Sequence, residues 1–176
     1  ELDGLLSGVE SEEGLMQALR LFRQQQMLRI IWRDITRRAA TLETTAALTA
    51  LADICLRAAV DFLYPRLCNE LGTPYSSAGI AQSFLVLGMG KLGAFELNLS
   101  SDIDLIFAYD ESGETDSRRP VPNRDFFTKL GQKLIAVIDK PTADGFVFRV
   151  DMRLRPYGDS GALALNYDAM EQYYQQ

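Results

Sequence analysis

The 176-residue chain contains no histidine, and this absence narrows the chemistry that it can perform. Without imidazole there is no Ser-His or Cys-His nucleophile and no histidine-ligated zinc. The two cysteines, Cys55 and Cys68, are too few for a disulfide framework or a four-cysteine zinc site. We interpret them as buried thiols of a protein in the reducing cytoplasm. Any catalysis must therefore use carboxylates, hydroxyls, lysine, arginine or a bound metal.

Basic charge and long apolar runs are also scarce. The chain has 18 Lys and Arg against 24 Asp and Glu, a formal net charge of −6. Nucleic-acid surfaces need clustered basic residues, so we expect no nucleic-acid partner. Asp53, Arg57 and Asp61 interrupt the most apolar stretch, and no secretion signal is visible, so we expect no membrane span. The chain begins and ends within sequence patterns, and we expect it to be a piece of a longer cytoplasmic protein.

Helical periodicity dominates the first part of the chain. Apolar residues recur at helical spacing from Leu15 to Phe22 and again, in a second long helix, from Leu48 to Leu63. Gly72 and the Thr73-Pro74 pair end this second helix at the latest. We therefore expect residues 1–79 to form a helical segment that packs on the following domain.

The pattern changes after Gly79. Short apolar runs predict strands over residues 84–87, 103–109 and 146–154, and the polar stretch 110–122 predicts a loop. Asn123 is expected to cap a helix, and Asn166 to cap a last helix that runs to the end of the chain. Together these features predict an α+β fold, with a mixed β-sheet core backed by helices over residues 80–165 and the beginning of a further helix over 166–176.

A glycine-rich turn follows the first predicted strand. Gly88, Gly90 and Gly93 match G-x-G-x-x-G, but only six residues separate Gly93 from Ser100, too few for the crossover helix of a dinucleotide-binding fold. A Walker A loop is excluded because Lys91 is followed by leucine. Glycines let a backbone approach phosphate closely, although a tight turn that only links strand to helix remains an alternative.

Asp102 and Asp104 lie two residues apart at the start of the second predicted strand. Because strand side chains alternate, both carboxylates are expected on one face, with the apolar residues Ile103, Leu105 and Phe107 on the other. Carboxylate oxygens are ligands that Mg²⁺ prefers. The alternative for such a pair is a solvated strand edge.

The third predicted strand adds another carboxylate. Alternation places Asp151, Arg153 and Arg155 on one polar face. Together with Lys91, these residues predict a surface that binds metal and phosphate for phosphoryl or nucleotidyl transfer. A ladder of surface ion pairs is the alternative for Asp151 and its arginines.

The combination of these motifs resembles a known superfamily. A glycine turn after a strand, Asp-x-Asp on the next strand and a later third aspartate resemble the DNA polymerase β-type nucleotidyltransferases. Longer motifs at residues 28–34, 88–93, 96–98, 101–107 and 150–156 resemble the glutamine synthetase adenylyltransferase family. The resemblance implies that Asp102, Asp104 and Asp151 are catalytic and bind Mg²⁺ or Mn²⁺. It also implies that nucleotide or phosphate is bound by Gly88, Gly90, Lys91, Ser101, Arg153 and Arg155.

The resemblance also implies a substrate and partners. Members of this family are bifunctional: one domain adds AMP from ATP to a tyrosine of glutamine synthetase, and the other removes it with phosphate, giving ADP. Residues 131–135, 144–146 and 150–153 are more similar to the removing domain. The adding domain is one alternative, and a non-catalytic fold that senses a ligand or binds a partner is another. The family further implies regulation by a PII signalling protein and by glutamine.

Overall fold

The computed structural model describes residues 1–175, of which the N-terminal part is helical. The helices there are α1 (Leu2–Leu6), α2 (Glu12–Ile35) and α3 (Thr41–Leu71). The Ser11 side chain caps α2 by accepting a hydrogen bond from the Gly14 N–H at 3.0 Å, and α3 ends at Gly72, as predicted. None of the helices within residues 1–175 combines the length and apolarity needed to cross a membrane.

Between residues 72 and 175 the chain forms two small sheets, three further α-helices and a short 3-10 helix, Gly158–Ser160. The strands are β1 (Pro74–Ser76), β2 (Phe84–Met89), β3 (Ile103–Tyr109), β4 (Gly113–Thr115), β5 (Val150–Asp151) and β6 (Ala164–Asn166). The helices are α4 (Gly90–Gly93), α5 (Asn123–Asp139) and α6 (Tyr167–Tyr174). In the larger sheet β2 pairs antiparallel with β3, while β5 and β6 pair parallel with β3. The predicted α+β fold with a mixed sheet is therefore confirmed.

Strand β3 lies at the centre of the hydrophobic core. Its residues Ile103, Leu105 and Phe107 are almost completely buried, on the face where alternation predicts them. Helix α5 packs closely on this face because Gly131 leaves room for the Phe107 ring. A single cluster of buried side chains joins α2 and α3 to β3 and α5, so the N-terminal helices pack directly on the sheet domain.

Two predictions around the polar stretch 110–122 were wrong. It contains β4, which pairs antiparallel with β1, and both strands are only three residues long, too short to show a period of two. Pro122, rather than Asn123, precedes the first turn of α5. The buried Asn123 side chain instead donates hydrogen bonds to the backbone oxygens of Tyr75 (2.9 Å) and Glu111 (3.1 Å) and so joins three segments.

The third predicted strand is much shorter than residues 146–154. Only Val150–Asp151 pairs with β3, because the chain turns after Asp151. The Asp151 carboxylate accepts the backbone N–H of Arg153 at 2.8 Å, a local bond that competes with strand pairing. Strand β6 was not predicted. Asn166 does cap α6, as predicted, by accepting from the Ala169 N–H at 3.0 Å; Gln176, the last residue of that predicted helix, lies outside the described residues.

Candidate active site

The strand register brings two of the predicted aspartates side by side. Asp104 on β3 pairs with Asp151 on β5, and on its other side with Met89 on β2. Paired residues of neighbouring strands share a face, so both carboxylates lie on the face opposite Leu105 and the core. Asp102 precedes the first residue of β3, and its side chain is 47% exposed. All three aspartates are outside the hydrophobic interior.

The backbone at Gly90 lies directly against Asp104. Gly90 begins the single turn of α4 with φ of +53°, and a Cβ atom there would lie 2.6 Å from Asp104 Oδ2. Glycine suits this position because a positive φ strains other residues and because a Cβ atom would require the Asp104 carboxylate to move. Lys91, the next residue, is exposed in the same turn. The turn therefore places an exposed cation immediately after a backbone position that touches a predicted metal ligand.

The other two glycines of the motif serve packing. A Cβ at Gly88 would lie 2.9 Å from the Leu92 side chain, and one at Gly93 would lie 2.5 Å from the Gly88 carbonyl oxygen. Gly88 pairs with Leu105 and so shares the core face of the sheet. The structure therefore does not bring Gly88 to the carboxylate face, although Gly88 was predicted to bind phosphate. For Gly88 and Gly93 the tight-turn interpretation applies.

Two of the three aspartates are engaged by arginines. Arg149 Nε lies 2.6 Å from Asp102 Oδ1. Arg153 Nε lies 2.8 Å from Asp151 Oδ2, and the Arg153 backbone N–H donates to Asp151 Oδ1. The hydrogen bonds from the Arg153 side chain and backbone hold the pKa of Asp151 below its usual range. The Asp151 carboxylate is therefore ionised at neutral pH.

The remaining predicted residues differ in their placement. Ser101 is partly exposed in the loop that leads to Asp102 and donates its N–H to the Asn98 carbonyl oxygen at 3.2 Å. The Arg155 side chain is only 12% exposed and donates to the Met152 carbonyl oxygen at 2.8 Å. Arg155 therefore belongs to the turn that follows β5, whereas Ser101 lies beside the carboxylates.

The aspartates supply suitable metal donors on a suitable face, but their side chains are not gathered around one point. Within residues 1–175, no group of three or more His, Cys, Asp or Glu side chains is arranged to hold a metal ion. The parallel register of Asp104 and Asp151 fits a shared divalent cation, and carboxylate oxygens are the donors that Mg²⁺ and Mn²⁺ prefer.

A cavity also lies elsewhere in the molecule, away from the sheet face. It has a volume of about 920 Å³ and is formed by α1, α2 and α3, with Arg29, Asp53, Arg57 and Asp61 among its lining residues. None of the predicted site residues lines it. The paired carboxylates Asp104 and Asp151, with an exposed lysine and a glycine turn beside them, make the sheet face the better candidate for chemistry.

Comparison with known proteins identifies the family. The family model described as glutamate-ammonia ligase adenylyltransferase matches residues 1–176. The chain belongs to this adenylyltransferase family. The resemblance drawn from its motifs is thereby confirmed.

Curated relatives of the adenylyltransferase family share more than half of their residues with the chain over the matched region. The Pseudomonas aeruginosa protein named bifunctional glutamine synthetase adenylyltransferase/adenylyl-removing enzyme is 57% identical over 177 residues, covering 99% of this chain and 18% of the relative. Proteins of the same name from Pseudomonas putida and Hahella chejuensis are 58% and 54% identical, covering 94% and 97% of the chain. The chain spans 17–18% of these relatives' length.

Arg149 is a residue of the candidate site that the sequence did not lead us to predict. Arg149 pairs with Asp102 and also donates through Nη2 to the Ser100 carbonyl oxygen at 3.0 Å. The alternation that selected Asp151 and Arg153 extends back to Arg149, so the signal was present in the sequence.

Proposed function

We propose that this chain is a nucleotidyltransferase unit that removes AMP from an adenylylated tyrosine of glutamine synthetase by phosphorolysis. The observation that carries the proposal is the pairing of Asp104 and Asp151 on one sheet face, against the Gly90 turn. Relatives 54–58% identical to the chain are named as enzymes that both add and remove adenylyl groups on glutamine synthetase. The family and the geometry therefore support the same class of chemistry.

The reaction exchanges one phosphorus–oxygen bond for another. An oxygen of inorganic phosphate forms a bond to the AMP phosphorus, and the bond from that phosphorus to the tyrosine oxygen breaks. The products are ADP and the unmodified tyrosine side chain. Phosphate is already anionic at neutral pH, so its attack needs no strong protein base. This chemistry suits a chain without histidine.

Different residues of the sheet face bind the phosphate groups and the metal. The exposed Lys91 ammonium and the backbone of the Gly90 turn bind phosphate oxygens, with Ser101 close to Asp102. Asp102, Asp104 and Asp151 would hold Mg²⁺ or Mn²⁺, which neutralises charge on the phosphoryl oxygens and on the departing oxygen. Lys91 and the turn thereby hold the phosphates against the carboxylate pair.

The direction of the reaction rests on the resemblance of residues 131–135, 144–146 and 150–153 to the removing domain. The adding domain would use the same carboxylates with ATP as the AMP donor. The PII signalling protein and glutamine are proposed as regulators because the family resemblance implies them.

The experiment tests the full chain both for removal of AMP from glutamine synthetase and for its addition. Glutamine synthetase carrying radiolabelled AMP on tyrosine is incubated with phosphate and Mn²⁺, and unmodified glutamine synthetase is incubated in parallel with labelled ATP. We expect phosphate-dependent release of labelled ADP, abolished by Asp104→Asn and retained by Asp168→Asn, an exposed aspartate in α6.

The other outcomes distinguish the alternatives. Transfer of AMP to tyrosine without phosphorolysis would assign the chain to the adding reaction. Binding of ADP without either turnover would assign it to ligand sensing, and both results would overturn the proposal.

A further inference from the structure

We propose that a divalent cation replaces Arg149 and Arg153 as the partner of the aspartates that they contact. The two arginines compete with a divalent cation for Asp102 and Asp151 and, once displaced, bind the phosphate groups of the nucleotide. This inference rests on the proposed function. It adds Arg149 to Arg153 as a phosphate-binding arginine and gives the order in which cation and phosphate bind.

Two of the three aspartates, Asp102 and Asp151, form ion pairs, whereas Asp104 forms none in the described part of the chain. Arg149 is bonded to Asp102, and Arg153 to Asp151. Within residues 1–175 Asp104, which lies beside Asp151 in the register, takes part in no ion pair. Arg153 therefore covers one of the two carboxylates that a shared cation would bind.

Both arginines are exposed enough to move away. Their side chains are 59% and 76% exposed for Arg149 and Arg153, whereas the Asp151 side chain that Arg153 covers is only 15% exposed. Exposed ion pairs contribute little to stability, so their replacement by a doubly charged cation costs little. Arg153 occupies both oxygens of Asp151, and Arg149 occupies one oxygen of Asp102, so a cation that binds these oxygens competes with the guanidinium groups.

The displaced groups remain where an anion would sit. Arg149 keeps a second bond, from Nη2 to the Ser100 carbonyl oxygen at 3.0 Å, which holds it beside the loop that leads to Asp102. The planar guanidinium group binds phosphate with two parallel hydrogen bonds. Arg155 provides a contrast, because its side chain is largely buried and bonded to the Met152 carbonyl oxygen. Arg155 is therefore held in its turn and takes no part in the exchange.

The test measures cation and nucleotide binding separately on the full chain. Free Mn²⁺ is followed by electron paramagnetic resonance, and ADP binding at saturating Mn²⁺ by calorimetry. The variants are Arg149→Gln and Arg153→Gln. The control is Arg118→Gln, which removes an equal charge from an exposed residue that makes no ion pair within residues 1–175. Asp104→Asn identifies the Mn²⁺ that is bound at the site.

We expect opposite shifts in the two affinities. Each site variant should bind Mn²⁺ about three- to fivefold more tightly, since an exposed competitor has been removed. The same variants should bind ADP about tenfold more weakly, since a charged phosphate contact has been lost. The control should change neither affinity. General damage to the fold would weaken both affinities together and would not produce opposite signs.

Three results would overturn the inference. Mn²⁺ affinity that is unchanged or lower in both site variants excludes competition, and unchanged ADP affinity excludes the phosphate role. In both cases Mn²⁺ binding that is sensitive to Asp104→Asn leaves the proposed function intact. Failure of the wild-type chain and every variant to bind Mn²⁺ would overturn the inference together with the metal ligands of the proposed function.

Discussion

At the scale of single residues, Gly90 determines how closely the turn approaches the carboxylates. Its φ is positive, and a Cβ atom at this position would lie only 2.6 Å from Asp104 Oδ2, so a side chain there would require that carboxylate to move. Gly79 has a similarly positive φ of +75°, but a Cβ there would meet no atom within 4 Å. Alanine substitution at each of the two glycines therefore distinguishes the effect of backbone strain from the effect of displacing Asp104.

We predict that Gly90→Ala lowers phosphate-dependent ADP release at least about tenfold, because Asp104 must move from the position opposite Asp151. Gly79→Ala should cost about 1 kcal/mol of stability from strain and leave the rate unchanged. Initial rates and urea unfolding measure the two effects. A Gly90→Ala protein with the wild-type rate would show that the closeness of the turn has no role in the reaction.

The ion pair of Asp151 and Arg153 predicts that the stability of the fold depends on pH. Because the hydrogen bonds from Arg153 lower the pKa of Asp151 in the folded chain, ionisation of this carboxylate stabilises the fold. The contribution is fully present above the ordinary aspartate pKa and is lost as the pH falls through the lowered value. We predict that Arg153→Gln moves the pKa of Asp151 up toward its ordinary range, as measured by ¹³C NMR titration. An unmoved midpoint, equal to that in Arg118→Gln, would contradict this prediction.

At the scale of elements, the buried Arg20 joins α2 to the end of α5. Its guanidinium donates to the carbonyl oxygens of Met16 (2.8 Å), Val137 (3.0 Å), Gly145 (2.8 Å) and Lys140. Carbonyl groups in the last turn of a helix lack partners within the helix, and a cation there also interacts favourably with the helix dipole. The segment that these bonds hold leads to β5 and Asp151.

We predict that Arg20→Met destabilises the fold by about 3 kcal/mol or more, because several buried carbonyl groups lose their donor at once. Arg38→Met, at an exposed arginine, should change stability by less than about 0.5 kcal/mol. Urea unfolding followed by circular dichroism measures both. Equal stability of the two variants would rule out the joining role of Arg20.

The elements that could be predicted from the sequence are those with a repeated pattern. Strand β3 has the predicted limits because its alternation is supported by complete burial of Ile103, Leu105 and Phe107. Strands β1, β4 and β6 have three residues each and leave no periodic signal. The end of β5 depends on a local bond between Asp151 and the Arg153 N–H, which alternation does not encode. For the same reason alternation does not describe Arg155, which lies in the turn after β5.

At the scale of the whole molecule, the chain matches only 17–18% of the length of relatives whose names give two opposing reactions. The predicted carboxylate face was drawn from alternation and family resemblance, and the structure places Asp104 and Asp151 in one register. The ion pairs with Arg149 and Arg153 could not be predicted in this form, because they depend on side-chain directions and on the turn after β5. The proposed chemistry therefore depends most on whether these carboxylates bind a cation together.

The most direct measurement is the anomalous diffraction signal of Mn²⁺ in crystals of the full chain soaked with Mn²⁺ and ADP. We predict an anomalous peak within about 2.5 Å of carboxylate oxygens of both Asp104 and Asp151. We also predict that Arg149 and Arg153 are turned toward the ADP phosphates. Anomalous peaks found only away from these two aspartates, with ADP bound elsewhere, would contradict both predictions.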